Sequence, residues 1–347
     1  MRRTRFRLTP LLAALVAAGC DYSAAAPGPY PGPDVPAGLW TVSGDPAGII
    51  QLAPGQLTEG LQSPTTLLTT PSALLQTVAG VAFAPDGTIW ITSADDNLLL
   101  GFAPSALATS GSKPATTVVV GTAGSLITPT GLAFDPFHRL WVANHDGGTI
   151  VRFDPAQLAA AGSPTPAVVI TVTGHPTSLA FDAAGSLWVS DNESQQLVRY
   201  SAAQLAASGA PAPATVIDEV NRSLMGPVGL AFDAAGKLWV ANLNRNTIVA
   251  YGADQLAAGG SPVPRILISS IGGSFILPAG LAFDDDGNLW VVGAQGTLTE
   301  FVKADLVASG APARRARVTV TEHQLFWSAA FWPVPHVLSR TVVAGGP

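Results

Sequence analysis

The chain has a single cysteine in 347 residues, Cys20, so no disulfide can form within it. Charge is also scarce: Asp, Glu, Lys and Arg make up 12% of residues, against 48% hydrophobic. That balance excludes a disordered chain and leaves ample apolar material for a large core. Basic residues are the scarcer sign, with 17 Lys+Arg against 23 Asp+Glu. Four of the 17 are arginines in the opening "MRRTRFR"; without them 13 face 23, a net charge of −10. Nucleic acid is thereby excluded as a partner, because phosphates are met by clustered cations. The one basic knot, Arg314, Arg315 and Arg317, reads as a solvated loop. Beyond Cys20 there is no apolar run near the ~20 residues that a membrane-spanning helix needs.

What is present begins at the N-terminus. A basic "MRRTRFR", the short apolar "LTPLLAALVAAG" and then Cys20 have the layout of a secretory signal. "LVAAGC" resembles a bacterial lipobox, with Ala17 where Leu is more usual, and the resemblance implies a lipidated Cys20 as first mature residue. Residues 1–19 are then a lipoprotein signal peptide. Residues 20–37, rich in Pro, Gly and Ala, form a semi-extended tether, and 38–347 a folded unit. The expected location is extracytoplasmic, lipid-anchored to a bacterial membrane. Asp21 after the Cys resembles an inner-membrane retention signal of enteric bacteria, and which membrane holds the protein stays open.

One unit recurs five times: "GVAFAPDGTIWITSADD", "GLAFDPFHRLWVANHDG", "SLAFDAAGSLWVSDNES", "GLAFDAAGKLWVANLNR" and "GLAFDDDGNLWVVGAQG". Each holds a Phe and a Trp seven residues apart, from Phe83/Trp90 to Phe283/Trp290. "GLWTVSGDPAGIIQL" near the start matches the unit from its Trp onward, with Trp40 in the slot, and "SAAFWPVP" near the end matches its front, with Phe331. The two halves sum to a sixth unit. Within a unit, "GLAF" reads as a buried strand, "D-x-x-G" as a type I turn, and "LWVA", "TIVRF" and "AVVITV" as three further strands. "DPAQLAAAGSPTP" between strands three and four reads as a one- to two-turn helix, with Asp154 as N-cap, Pro155 first and Gly162 past its end.

Four-stranded units of ~40–50 residues are the signature of β-propeller blades. The expected fold is therefore all-β: a six-bladed β-propeller, with a short helix between strands 3 and 4 of most blades and the ring closed by its N- and C-terminal strands. "HVLSRTVV" would be a degenerate second strand or an extra edge strand of the closing blade. The repeated "G-[LV]-A-F-D…G-x-L-W-V-A-[ND]…I-V-x-F" resembles the NHL-repeat and SMP-30-like propeller superfamily over roughly residues 38–345, which implies architecture far more than activity.

The repeat sorts the candidate chemistry. A Trp in every blade reads as packing between blades, and the repeated Asp135, Asp182, Asp233 and Asp284 as turn residues. His138, in the turn-Gly slot, should be exposed. The residues ending "LWVA" lie on the top face around the channel, where Asn144, Asp191 and Asn242 form a ring on three consecutive blades. Resemblance to SMP-30/gluconolactonase-like hydrolases implies a divalent-metal site there, and Ca²⁺ is the ion these oxygen ligands suit. No cofactor is otherwise called for. Streptogramin-lyase-like propellers carry a Glu where this chain has Asn or Asp. They carry a His in a slot held here by Thr130, Thr177, Val228 and Ala279, and His175 lies two residues before Thr177.

Asn144, His145 and Asp146 stand in a row. His145 and Asp146 occupy a variable top-face turn whose counterparts are Asn192/Glu193, a polar binding surface or a solvated turn. Neighbours in sequence seldom point at one another across a turn, and no nucleophile is placed for them; Asn144 alone of the three belongs to the ring. The function expected is a monomeric, membrane-anchored, non-enzymatic module that binds a protein or small-molecule ligand through its top face. The alternative is the metal-dependent hydrolase.

Overall fold

The computed structural model describes residues 35–334 except 72, 73, 76, 322 and 333. The signal segment, Cys20, most of the tether and "HVLSRTVV" lie outside the described residues. Six antiparallel sheets follow one another in chain order, each of four blade strands. The chain is a six-bladed β-propeller.

Blade three shows the pattern: Pro129–Phe134, Leu140–Asn144, Thr149–Phe153 and Val168–Thr171, paired in sequence order. Blade four repeats it with Pro176–Phe181, Leu187–Asp191, Gln196–Tyr200 and Thr215–Ile217. The second strands are buried along their whole length, as apolar runs flanked by sheet on both sides must be.

Blade one is built from both ends of the chain. Gln324–Trp332 pairs antiparallel with Gly38–Asp45, bringing Phe331 opposite Leu39 and Trp332 opposite Gly38. Packing starts slightly before residue 38. Val35 sits in the core, the Pro36 carbonyl accepts from the Trp40 indole at 3.2 Å, and the Ala37 carbonyl accepts from Gln51 at 2.9 Å.

The Trp and Phe slots meet across blades. Trp141 stands edge-on to Phe181 of the next blade at 6.1 Å, Trp40 to Phe83 at 6.1 Å, and Trp290 to Phe331 at 6.3 Å across the closure. Edge-on aromatic pairs of this kind add to the burial of two large apolar side chains. The turn Asp does more than turn the chain. Asp182 Oδ1 accepts the backbone N–H groups of Ala184 and Ser186, while Oδ2 accepts the Trp188 indole N–H at 3.2 Å. Asp135, Asp233 and Asp284 hold Trp141, Trp239 and Trp290 in the same way. His138 is exposed, as its turn position implies, and takes φ +63°, the left-handed conformation its glycine counterparts adopt freely.

The expected helix between strands three and four is shorter than two turns in most blades. It is a single 3₁₀ turn at Pro155–Gln157 and Gln204–Ala206, and its longest form is Ala253–Ala258. The QL-type sequence serves a different purpose from helix length. Gln157, Gln204 and Gln255 each accept the backbone N–H three residues before them, and each donates to a carbonyl eight residues after them. The glutamine thus ties the loop that leads to the outer strand.

Gly162 is not a helix cap. Its N–H donates to Val118 O and its carbonyl accepts from Val120 N, a parallel bridge to the outer strand of the preceding blade. Gly209, Gly260 and Gly310 make the same bridge, and Gly111 and Gly60 make it within short strands. Each outer edge is covered by the next blade, which removes a row of unpaired backbone groups.

The three arginines belong to the last of these clasps. Arg314 pairs with Glu59 at 3.2 Å, the Arg317 N–H donates to Glu59 at 2.6 Å, and Arg315 pairs with the buried Glu300 at 3.1 Å. The Arg314 hydrogen bond holds the Glu59 carboxyl below its usual range. Arg314 and Arg315 are exposed, as a solvated loop implies, and their ion pairs with Glu59 and Glu300 lie at the seam of blades six and one.

Candidate functional site

Strand direction defines the two faces. First strands begin and second strands end on the top, which also carries the turns between strands two and three. The Asp turns and short helices lie on the bottom. Gly38 opens a second strand and lies beside Leu52 and Trp332, so this strand begins on the bottom.

The Asn144–Asp191–Asn242 ring does not present open ligands. Asn144 and Asn242 are completely buried and Asp191 nearly so. Asn144 Nδ2 donates to Ser125 O and Thr149 Oγ1, and its Oδ1 accepts from Ile127 N. Asn242 repeats this with Ser223 O, Thr247 Oγ1 and Met225 N. Asp191 accepts from Glu193 N at 3.1 Å, Ser194 N at 3.0 Å and His175 N at 3.3 Å. Each side chain holds the two top loops of its own blade, and three of the roughly four acceptor sites of the Asp191 carboxylate are taken by backbone N–H groups. A Ca²⁺ ion would have to displace these bonds, so the donor set does not fit one.

The loops so held carry a second constellation. His145 and Asp146 come from the turn after blade three's second strand. His175 comes from the loop entering blade four, and Glu193 from blade four's own turn. Contrary to the sequence expectation, His145 and Asp146 do meet: Nδ1 lies 2.7 Å from Asp146 Oδ1. The reason is Thr128, whose hydroxyl donates to Asp146 Oδ2 at 2.7 Å and turns the carboxylate toward the ring. The Thr128 bond, with that of His145 behind it, lowers the Asp146 pKa. His175 Nδ1 lies 3.1 Å from the His145 carbonyl, and its Nε2 lies 2.8 Å from Glu193 Oε2. The two imidazoles are 4.9 Å apart, tilted by 44°.

All four side chains reach solvent, from 27% exposed for His145 to 69% for Glu193. Their backbone, by contrast, is fixed through Asp191, Asn144 and Thr128. Sequence reading had placed Asp146 and Glu193 in equivalent turns, and His175 only against a lyase slot it does not fill. What it missed is that the loop entering one blade faces the second-strand turn of the blade before. Numbering the top loops around the ring, rather than along the chain, would have joined the four residues.

A cleft of about 460 Å³ lies on the opposite face, at the seam of blades six and one. It is lined by Asp284, Glu300, Arg315 and Trp332. Three of its charged groups serve the fold: Asp284 binds the Trp290 indole, and Glu300 pairs with Arg315. Burial raises the Glu300 pKa, against the pull of Arg315.

Comparison with known proteins agrees on architecture. No family model matches the chain, and no curated protein does. A protein of unknown function from Bacteroides caccae superposes with a TM-score of 0.61 at 11% identity, covering 85% of this chain and 98% of that one. A functionally unknown protein from Desulfotomaculum acetoxidans gives 0.52 at 12% identity, covering 76% and 74%. Virginiamycin B lyase from Staphylococcus aureus gives 0.46 at 17% identity, covering 78% and 82%. At these identities the first two share the fold alone, and the third carries no residue or activity across.

Proposed function

We propose that the protein is a membrane-anchored, extracytoplasmic propeller lipoprotein that binds a partner through its top face, centred on His145, Asp146, His175 and Glu193. The observation that carries this reading is a contrast. The repeated polar residues, from the turn Asp to Asn144 and Asn242, are used up by backbone and indole contacts of the blades. The four-residue cluster is solvent-facing and occurs at one blade boundary, so it contributes nothing that the other blade boundaries need.

The lipobox-like "LVAAGC" and the Pro/Gly-rich segment after it support the anchor. A 15-residue segment reaches about 50 Å when extended, and the described chain begins on the face opposite the cluster, where Gly38 opens its strand. An anchored ring therefore presents His145 and Glu193 away from the bilayer. Among the described residues no helix is long and apolar enough to cross a membrane. The NHL-like repeat supports an interaction role, since it supplies a rigid frame and leaves chemistry to the loops. Hydrolysis at a metal held by Asn144, Asp191 and Asn242 has no supporting observation, because those groups are occupied.

Affinity capture from envelope extract with the full chain tests the reading. A partner retained by the wild type and lost with a His145→Gln/His175→Gln double variant is the expected result. A partner bound equally by both would overturn it.

A further inference from the structure

We infer that His145, Asp146, His175 and Glu193 form a binding site for a divalent transition-metal ion of the Zn²⁺ type, set between blades three and four. The inference rests on the reading of this cluster as the working part of the top face, and gives it a ligand chemistry.

The argument starts from the tautomers. A backbone carbonyl and a carboxylate both only accept, and His175 faces one at each ring nitrogen: His145 O lies 3.1 Å from Nδ1 and Glu193 Oε2 2.8 Å from Nε2. A neutral ring has one proton for two acceptors, and the tautomer that serves the carbonyl carries it on Nδ1. The neutral ring then has a bare lone pair at Nε2, and Nε2 lies 2.8 Å from a carboxylate oxygen of Glu193. Two acceptors at that distance repel unless something positive lies between them: a second ring proton or a cation. His145 has the same polarity. Its Nδ1 donates to the Asp146 carboxylate at 2.7 Å, which leaves the Nε2 lone pair free. Metal-binding histidines are held in this way, one nitrogen donating to a carboxylate or carbonyl and the other on the ion.

The distances suit a small ion. One donor atom from each of His145, Asp146 and His175 can be chosen so that all lie within 4.8 Å of one another. Donors around tetrahedral zinc, at bond lengths of about 2.0–2.2 Å, stand roughly 3.3–3.6 Å apart. Closing these three takes a little more than an ångström of movement in exposed side chains, and Glu193 joins them through its place 2.8 Å from His175 Nε2. Two imidazoles with carboxylates suit Zn²⁺ and its neighbours, whereas Ca²⁺ and Mg²⁺ take oxygen. The ion would sit between the His175 Nε2 lone pair and the Glu193 carboxylate.

Calorimetric titration of the full chain in detergent, stripped with chelator and then given Zn²⁺ alone, tests this. One ion per chain is expected, with proton release seen as buffer-dependent heat. Co²⁺ in place of Zn²⁺ should give the visible absorption of a nitrogen-ligated ion. Either histidine changed to Gln should weaken binding on the order of 100-fold, and Glu193→Gln about tenfold. These side chains are exposed, so unchanged melting of the variants checks that they fold. The inference is overturned by absent binding, by binding that survives the histidine variants, or by Ca²⁺ competing on equal terms. Zinc binding needs no partner. Partner capture that fails on zinc-loaded protein would sink the binding reading and leave the metal site, and capture without zinc affinity would do the reverse.

Discussion

Replacing Asp182 with Ala removes three hydrogen bonds at once, and their surroundings set the cost. Trp188 is 1% exposed, so its indole N–H loses its acceptor at 3.2 Å where water has little access. A buried donor left without a partner costs about 1–3 kcal/mol. The N–H groups of Ala184 and Ser186, at 3.0 and 2.9 Å, belong to a surface turn and can turn to water, at roughly 0.5 kcal/mol each. The sum is about 3 kcal/mol. Urea unfolding followed by tryptophan fluorescence reads it as a lower midpoint at unchanged slope. Asp182→Asn should cost about two-thirds as much, since Oδ1 keeps its two backbone donors while an amide N–H₂ replaces the indole's acceptor. If Asp182→Ala lowers stability by less than about 0.5 kcal/mol, the Asp is a turn residue only and the Asp–Trp tie has no energetic weight.

The remaining predictions concern single positions. His138→Gly should stabilise the fold by roughly 0.5–1 kcal/mol in the same assay, because φ +63° strains a histidine but not a glycine. Asn242→Ala should cost about 2–3 kcal/mol, as it strands the half-buried Met225 N–H and the buried Ser223 carbonyl, and should leave Zn²⁺ affinity unchanged. A loss of metal binding without loss of stability would restore the ring as a ligand site. Glu300, its pKa raised chiefly by burial, binds its proton more tightly folded than unfolded. Stability from this group is therefore full below the ordinary value of 4.5 and declines as pH rises through the raised one. Glu300→Gln should flatten that limb of the melting-temperature profile.

The architecture was legible because the repeat averages over six copies. A Phe and a Trp at fixed spacing recur only where every blade has the same neighbour, and the split unit at the two ends implied the closure that Phe331 and Trp290 complete. The role of Gly162 was not legible, because its partner Val119 lies one blade back and the pairing is parallel. Asn144, Asp191 and Asn242 end their strands on the top face, and their side chains are buried and hydrogen-bonded to the loops there. Sequence shows a polar residue at a strand end, and says nothing of whether its hydrogen bonds are already filled. His145 and Asp146 were read as a polar binding surface or a solvated turn whose side chains would not meet, yet Thr128, 18 residues before Asp146, orients the carboxylate. Repetition thus identified structure, and the departure from repetition at His175 and Glu193 marked the site.

Site-specific photo-crosslinking in intact cells tests the central claim most directly, with the probe at Glu193 on the top of blade four or at Ala184 on the bottom of the same blade. The account predicts a discrete adduct from position 193, absent in the His145→Gln/His175→Gln background, and none from position 184. Adducts from 184 alone, or equal adducts from both faces, would contradict it.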